Sequence, residues 1–217
     1  MAKTDFKLEN FGLLHAIKGF MADEEVLRLY ELALDAAAMG PILEIGSYCG
    51  RSAAVMGWAC KKKDGVLFSI DHHRGSEEQQ PGQAYFDPDL YDDHTKGVNT
   101  LPFFRDTLEK TGVTDHVIPM VCTSAVAGKM WETPLSMVFI DGGHSFDAAY
   151  SDFSTWSPHL MADGFLVIHD IFFDPARGGQ APRQVYEKAI KTGNYKELPM
   201  TQTLGVLQKN RWDKETP

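Results

Sequence analysis

Acidic side chains close the apolar runs of this chain: Glu44 in "ILEIG", Asp71 in "LFSID", Asp141 in "MVFIDGGH" and Asp170 in "LVIHD". Carboxylates at such positions suit two tasks, accepting hydrogen bonds from a ribose diol and holding a divalent cation. The first of them belongs to "ILEIGSYCGRSA", residues 42–53, with the spacing E-x-G-x-x-x-G-x-S over Glu44, Gly46, Gly50 and Ser52. Glycines after a strand allow a tight turn and close approach of the backbone to a ligand. A dinucleotide fingerprint GxGxxG would need glycines at 46, 48 and 51, but Tyr48 and Arg51 stand there, and no GKS or GKT follows for a phosphate loop. Asp71 lies 25 positions beyond Gly46, suitably spaced for a ribose. A glycine turn and a ribose acid without a diphosphate loop point to a nucleoside ligand lacking a diphosphate. The plainer alternative, that the glycines only turn a strand into a helix, stays open here.

Histidines flank the later acids. His144 is three residues past Asp141, and His169 directly precedes Asp170. If neighbouring strands bring Asp141, His169 and Asp170 together, a cation or hydrogen bonds must compensate their mutual cost. His144 suits general-base work, because its ordinary pKa of about 6.5 lets it accept a proton near neutrality. The bland alternative has His169 packed in the crevice wall and Asp170 capping a loop.

The elements that must position these residues alternate. A helix is expected over residues 24–38, then strands at "PILEIG", "GVLFSID", "HVIPMV", "LSMVFID" and "GFLVIHD". Helices are expected at "GRSAAVMGWACKK", 95–111, 124–131, 146–160 and 182–192, and the tail "KELPMTQTLGVLQK" reads as two strands. Strands that are apolar throughout and alternate with helices imply an α/β fold with a parallel sheet covered on both faces. Ligands of such sheets sit beyond the carboxyl ends of the strands, where these acids fall.

The 217 residues suit one domain, 1–217, with a helical segment at 1–38 and a polar insert at 72–94. The insert is long for a strand–helix connection, as lids and substrate-binding elements are. A net charge of -9 argues against a nucleic-acid or membrane-surface partner and leaves a small-molecule acceptor. Three cysteines without a CxxC pair, and an opening "MAKTDFKLEN" without an apolar core, make a reduced cytoplasmic protein the expectation.

"LEIGSYCGRSAAVM" resembles the first motif of class I S-adenosylmethionine-dependent methyltransferases, especially the catechol O-methyltransferase type. "IDGGHSFDAAYSDFSTWSPHLMADGFLVIHD" resembles the metal-assisted small-molecule and sugar O-methyltransferases. The resemblance implies a Rossmann-like, doubly wound, mostly parallel seven-stranded sheet with an antiparallel C-terminal strand. It leaves open a homodimer through the helix at 24–38, whose apolar residues would serve equally well to cover the sheet. It implies a cofactor site of Glu44, Gly46, Ser47, Tyr48, Gly50, Ser52, Asp71 and Asp141, with Ser52 on the cofactor carboxylate, Asp71 on the ribose, and Thr123 and Ser124 beside the adenine. Thr123 and Ser124 read equally well as a helix N-cap. Asp141, His169 and Asp170 take the positions of metal ligands for Mg²⁺ or Mn²⁺, and His144 that of the catalytic base. His169 and Asp170 depart from the catechol enzymes' pattern of Asp then Asn, and imidazole suits Mn²⁺ better than Mg²⁺. Three rivals stand beside this reading: a hydroxylase-like relative using iron, a non-catalytic S-adenosylmethionine-binding protein, and a nicotinamide-dependent dehydrogenase.

Overall fold

The inner strands bury apolar residues on both of their faces, and helices cover both. The computed structural model describes residue 6 and residues 8–211; the expected domain bounds at 1 and 217 fall outside them. In chain order the elements begin α1 (Leu8–His15), α2 (Asp23–Ala37), β1 (Ile42–Ile45), α3 (Arg51–Lys63), β2 (Leu67–Ile70), β3 (Tyr91–Asp92) and β4 (Gly97–Val98). They continue α4 (Leu101–Thr111), β5 (Val117–Met120), α5 (Ser124–Gly128), β6 (Leu135–Ile140) and α6 (Phe146–Trp156). The last are β7 (Leu160–Ile168), α7 (Ala181–Lys191), β8 (Tyr195–Thr201) and β9 (Leu204–Lys209).

The main sheet has seven strands in the order β5-β2-β1-β6-β7-β9-β8, and β9 runs antiparallel to both of its neighbours. Successive residues of a strand point to opposite faces. Ile42, Met137, Phe139 and Val167 therefore pack under α2, α3 and α4, while Leu43, Ile45, Val138, Ile140 and Ile168 pack under α6 and α7. Ile45 is in register with Ile70 on one side and Ile140 on the other, and Ile140 with Ile168. The four strands thus end level, and Gly46, Asp71, Asp141 and His169 emerge along one edge.

Several boundaries differ from the sequence reading. α4 begins at Leu101 rather than 95, because Pro102 fits only the first turn of a helix and the residues before it pair as the β3–β4 hairpin. That hairpin, with 3-10 turns at Glu77–Gln79 and Pro88–Leu90, gives the polar insert a structure of its own. α5 stops at Gly128, and Trp131 leaves it to pack edge-on against Phe68 and Trp156. α2 buries Val26, Leu29, Tyr30, Leu32 and Ala33 within the chain, so its apolar face is already covered. No helix among the described residues is long and apolar enough to cross a membrane.

Candidate functional site

The turn after β1 is built on two left-handed glycines. Gly46 has φ +86°, and a Cβ there would lie 2.2 Å from the carbonyl oxygen of Asp141. Gly50, at φ +92°, caps α3. Between them the amides of Ser47 and Tyr48 donate to one oxygen of Asp71 at 3.0 and 2.9 Å, and the His73 amide donates to the other at 2.7 Å. Asp71 therefore braces the turn. A carboxylate offers about four acceptor positions, so some capacity remains for a ligand hydroxyl. Among the described residues the Ser47 hydroxyl is buried without a hydrogen-bond partner, an unmet need that a ligand in this turn could satisfy.

Glu44 lies beneath the turn, fully buried. The hydroxyls of Ser52 and Ser69 donate to its two oxygens, each at 2.5 Å. Burial pushes its carboxyl up to about 8, and the two serine donors only partly offset that. Ser52 thus turns its hydroxyl inward to Glu44, whereas the resemblance assigned it to the cofactor carboxylate. A buried carboxyl without a cation must find donors, and Ser52 is one of the two within reach.

Asp141, His144 and Asp170 each offer a donor atom within 4.8 Å of the others, a grouping that can hold a metal ion. Asp170 approaches His144 Nε2 at 3.0 Å, and Glu78 of the polar insert faces His144 Nδ1 at 3.3 Å. The hydrogen bond that His144 donates to Asp170 is the chief reason that its pKa is raised to about 9, against the lowering effect of burial. Burial works against the charge of Asp170 too, but hydrogen bonds from His144 and His169 hold it well below the usual carboxylate range. Asp141 is raised, by burial first, with His169 opposing.

His169 stands differently from the sequence grouping. Ile168 faces α6 and α7, so strand alternation points His169 to the other face, toward α2. Its Nε2 meets Glu25 at 3.2 Å and its Nδ1 meets Asp141 at 3.2 Å. Burial lowers its pKa, yet Asp141, Asp170 and Glu25 together raise it well above 6.5. With both ring nitrogens facing carboxylates, His169 supports Asp141, and His144 takes its place in the three-residue cluster. Asp170 takes the left-handed conformation, at φ +60°.

Thr123 is the exposed N-cap residue of α5. Ser124 accepts from Trp156 Nε1 at 2.7 Å and hydrogen-bonds to Asp152, so its hydroxyl ties α5 to α6. Of the insert's histidines, His73 is buried against Thr100 and Phe104, away from the cluster. Glu25, Glu78 and Asp152 were not singled out by sequence. Each meets its partner across a long chain separation; Glu25 and Glu78 lie in no recognisable motif, and Asp152 lies within the quoted 140–170 stretch without standing out in it.

A family model described as a methyltransferase domain matches residues 43–171, more than half of the chain. The chain belongs to the methyltransferase domain family. Solved structures share its fold at low identity. An O-methyltransferase from Bacillus cereus in complex with SAH superposes with a TM-score of 0.64 at 13% identity, covering 94% of this chain and 89% of that one. An SAH-bound methyltransferase from Podospora anserina gives 0.63 at 16%, covering 95% and 87%. The O-methyltransferase NovP gives 0.65 at 12%, covering 85% and 80%. In this methyltransferase domain the glycine turn, the braced Asp71 and the acid–histidine cluster share the edge where α/β sheets bind ligands.

Proposed function

We propose that this methyltransferase domain moves a methyl group from S-adenosylmethionine to a hydroxyl oxygen of a small acceptor, a sugar or a phenol, with help from a divalent cation. The observation that carries the reading is the glycine turn after β1 beside the acids at the level ends of β2, β6 and β7, Asp71, Asp141 and Asp170. Among the described residues the ion-pair partners of Asp141 and Asp170 are histidines, with no Lys or Arg between them. No GxGxxG loop follows β1 to cradle a diphosphate, which weighs against the dehydrogenase reading. The SAH held by the Bacillus cereus and Podospora anserina proteins supports the same choice.

In this reading Ser47 and the spare acceptor position of Asp71 hold the nucleoside, while Gly46 and Gly50 keep the turn close to it. Asp141 and Asp170 fit a divalent cation by donor type and spacing, which leaves the His144 imidazole free to act as the base. The cation, when bound, supplies Lewis acidity that lowers the pKa of a coordinated hydroxyl. Methyl transfer is an in-line displacement, so alignment and deprotonation are the protein's share. His144 accepts the hydroxyl proton only once it has lost its own. With Asp170 facing it, that happens near pH 9; a cation engaging Asp170 removes the chief raising influence.

The test is transfer of a tritiated methyl group to a panel of vicinal diols across pH. The rate should rise through about pH 9 in chelator and at lower pH in Mn²⁺, and His144→Gln should abolish that limb. A limb unchanged by His144→Gln would remove His144 as the base. Absence of transfer from a protein that binds SAH would favour the non-catalytic binding alternative.

A further inference from the structure

We infer that Glu25, in the first turn of α2, is a positioning residue for Asp141, acting through His169. The inference rests on the proposed role of Asp141 as a cation ligand. Four donors converge on the Glu25 carboxylate. The Ala22 amide at 3.1 Å and His169 Nε2 at 3.2 Å share Oε2, while the Thr203 amide at 2.8 Å and the Thr203 hydroxyl at 2.7 Å share Oε1. That fills the roughly four acceptor positions a carboxylate has, and Glu25 is only 3% exposed. His169 is pinned in turn: Nε2 against Glu25, Nδ1 against Asp141 Oδ1, and its ring beside Phe139. A ring held at both nitrogens cannot rotate without breaking one contact, so the orientation of Asp141 is inherited from α2.

A tie between α2 and the β8–β9 turn alone would not need the His169 contact, because Thr203 already supplies two hydrogen bonds. Nor would it need a buried carboxylate, since apolar packing of similar volume holds elements together at least as well. The neighbouring Glu24 offers the contrast. It receives Gln202 from the same turn at 2.8 Å, is exposed, and has no contact with His169.

The experiment uses the full chain and Mn²⁺ alone, with binding read by electron paramagnetic resonance, SAH affinity by calorimetry, and crystal structures of the variants. Glu25→Gln keeps the shape but presents one acceptor oxygen, so two of the four donors lose their partner. It should weaken Mn²⁺ binding by about tenfold or more, as outer-shell changes at metal sites do, and leave SAH affinity unchanged. Glu24→Gln, which removes the same charge one residue away, should alter neither. Glu25→Gln combined with His169→Asn should be no worse than the weaker single variant. Unaltered Mn²⁺ affinity in Glu25→Gln, or additive losses in the double variant, would overturn the inference. If the wild-type chain binds SAH but not Mn²⁺, the cation reading fails, and the crystal structure of Glu25→Gln then decides. Loss of the 3.2 Å His169–Asp141 contact upholds the positioning role, and an intact contact removes it. Should Glu25→Gln not fold, Glu25→Asp keeps the charge but shortens the reach, and the same readouts apply.

Discussion

At the scale of single residues, Gly46 and Glu44 carry different kinds of constraint. Gly46 is required by geometry, since a methyl group there would meet the Asp141 carbonyl oxygen at 2.2 Å and φ is +86°. The contact is backbone on backbone, so no side chain can yield. Gly46→Ala should cost upward of about 4 kcal/mol, in the exceptional class for a point substitution, and urea unfolding would measure it. A loss near 1 kcal/mol would mean that the turn shifts freely. Glu44 is constrained by charge instead. Its carboxyl ionises near 4.5 in an ordinary setting and at about 8 in the fold. A group raised on folding stabilises fully below its unfolded pKa, and that contribution is lost as pH rises through the folded one. The wild-type melting temperature should therefore fall between about pH 4.5 and 8 relative to Glu44→Gln, which stays neutral. Parallel curves for the two proteins would contradict the burial argument.

At the scale of elements, α5 is one and a half turns long and depends on α6 for its position. Trp156, fully buried, donates to Ser124 at the start of α5 and packs edge-on against Trp131 just beyond its end. Trp156→Ala should cost about 3–5 kcal/mol, as large aromatic deletions in cores do. Hydrogen exchange should rise over residues 121–131 more than over α2. Uniform protection changes would show that α5 holds its place without α6. The same region marks how far the sequence could be read. The inner strands and their order of appearance were legible, because unbroken apolar runs ending in acids leave little other choice. The β3–β4 hairpin was not, since two residues per strand carry no period. The acids at residues 44, 71, 141 and 170 were legible as a row. Which histidine joined them was not, because that depends on strand alternation through Ile168 and on the left-handed turn at Asp170. Glu25 was invisible for a simpler reason: 144 residues separate it from His169.

At the scale of the whole molecule, segments far apart in sequence close on the same edge of the sheet. The polar insert reaches His144 through Glu78 and is tied to the N-terminal segment by Lys18, which pairs with Asp87 and Asp89. Phe20 meets Tyr48 of the glycine turn on one side and Tyr85 of the insert on the other. The net charge of -9 has a local counterpart in the carboxylates at this edge, where S-adenosylmethionine and a divalent cation are proposed to bind in preference to a dinucleotide. The most direct test of that claim is calorimetric titration of the full chain with S-adenosylmethionine, SAH and NAD, first in chelator and then in Mn²⁺. Both sulfur nucleosides should bind, with or without the cation, and NAD should not. A folded sample that binds neither sulfur nucleoside, or that prefers NAD, would contradict the claim.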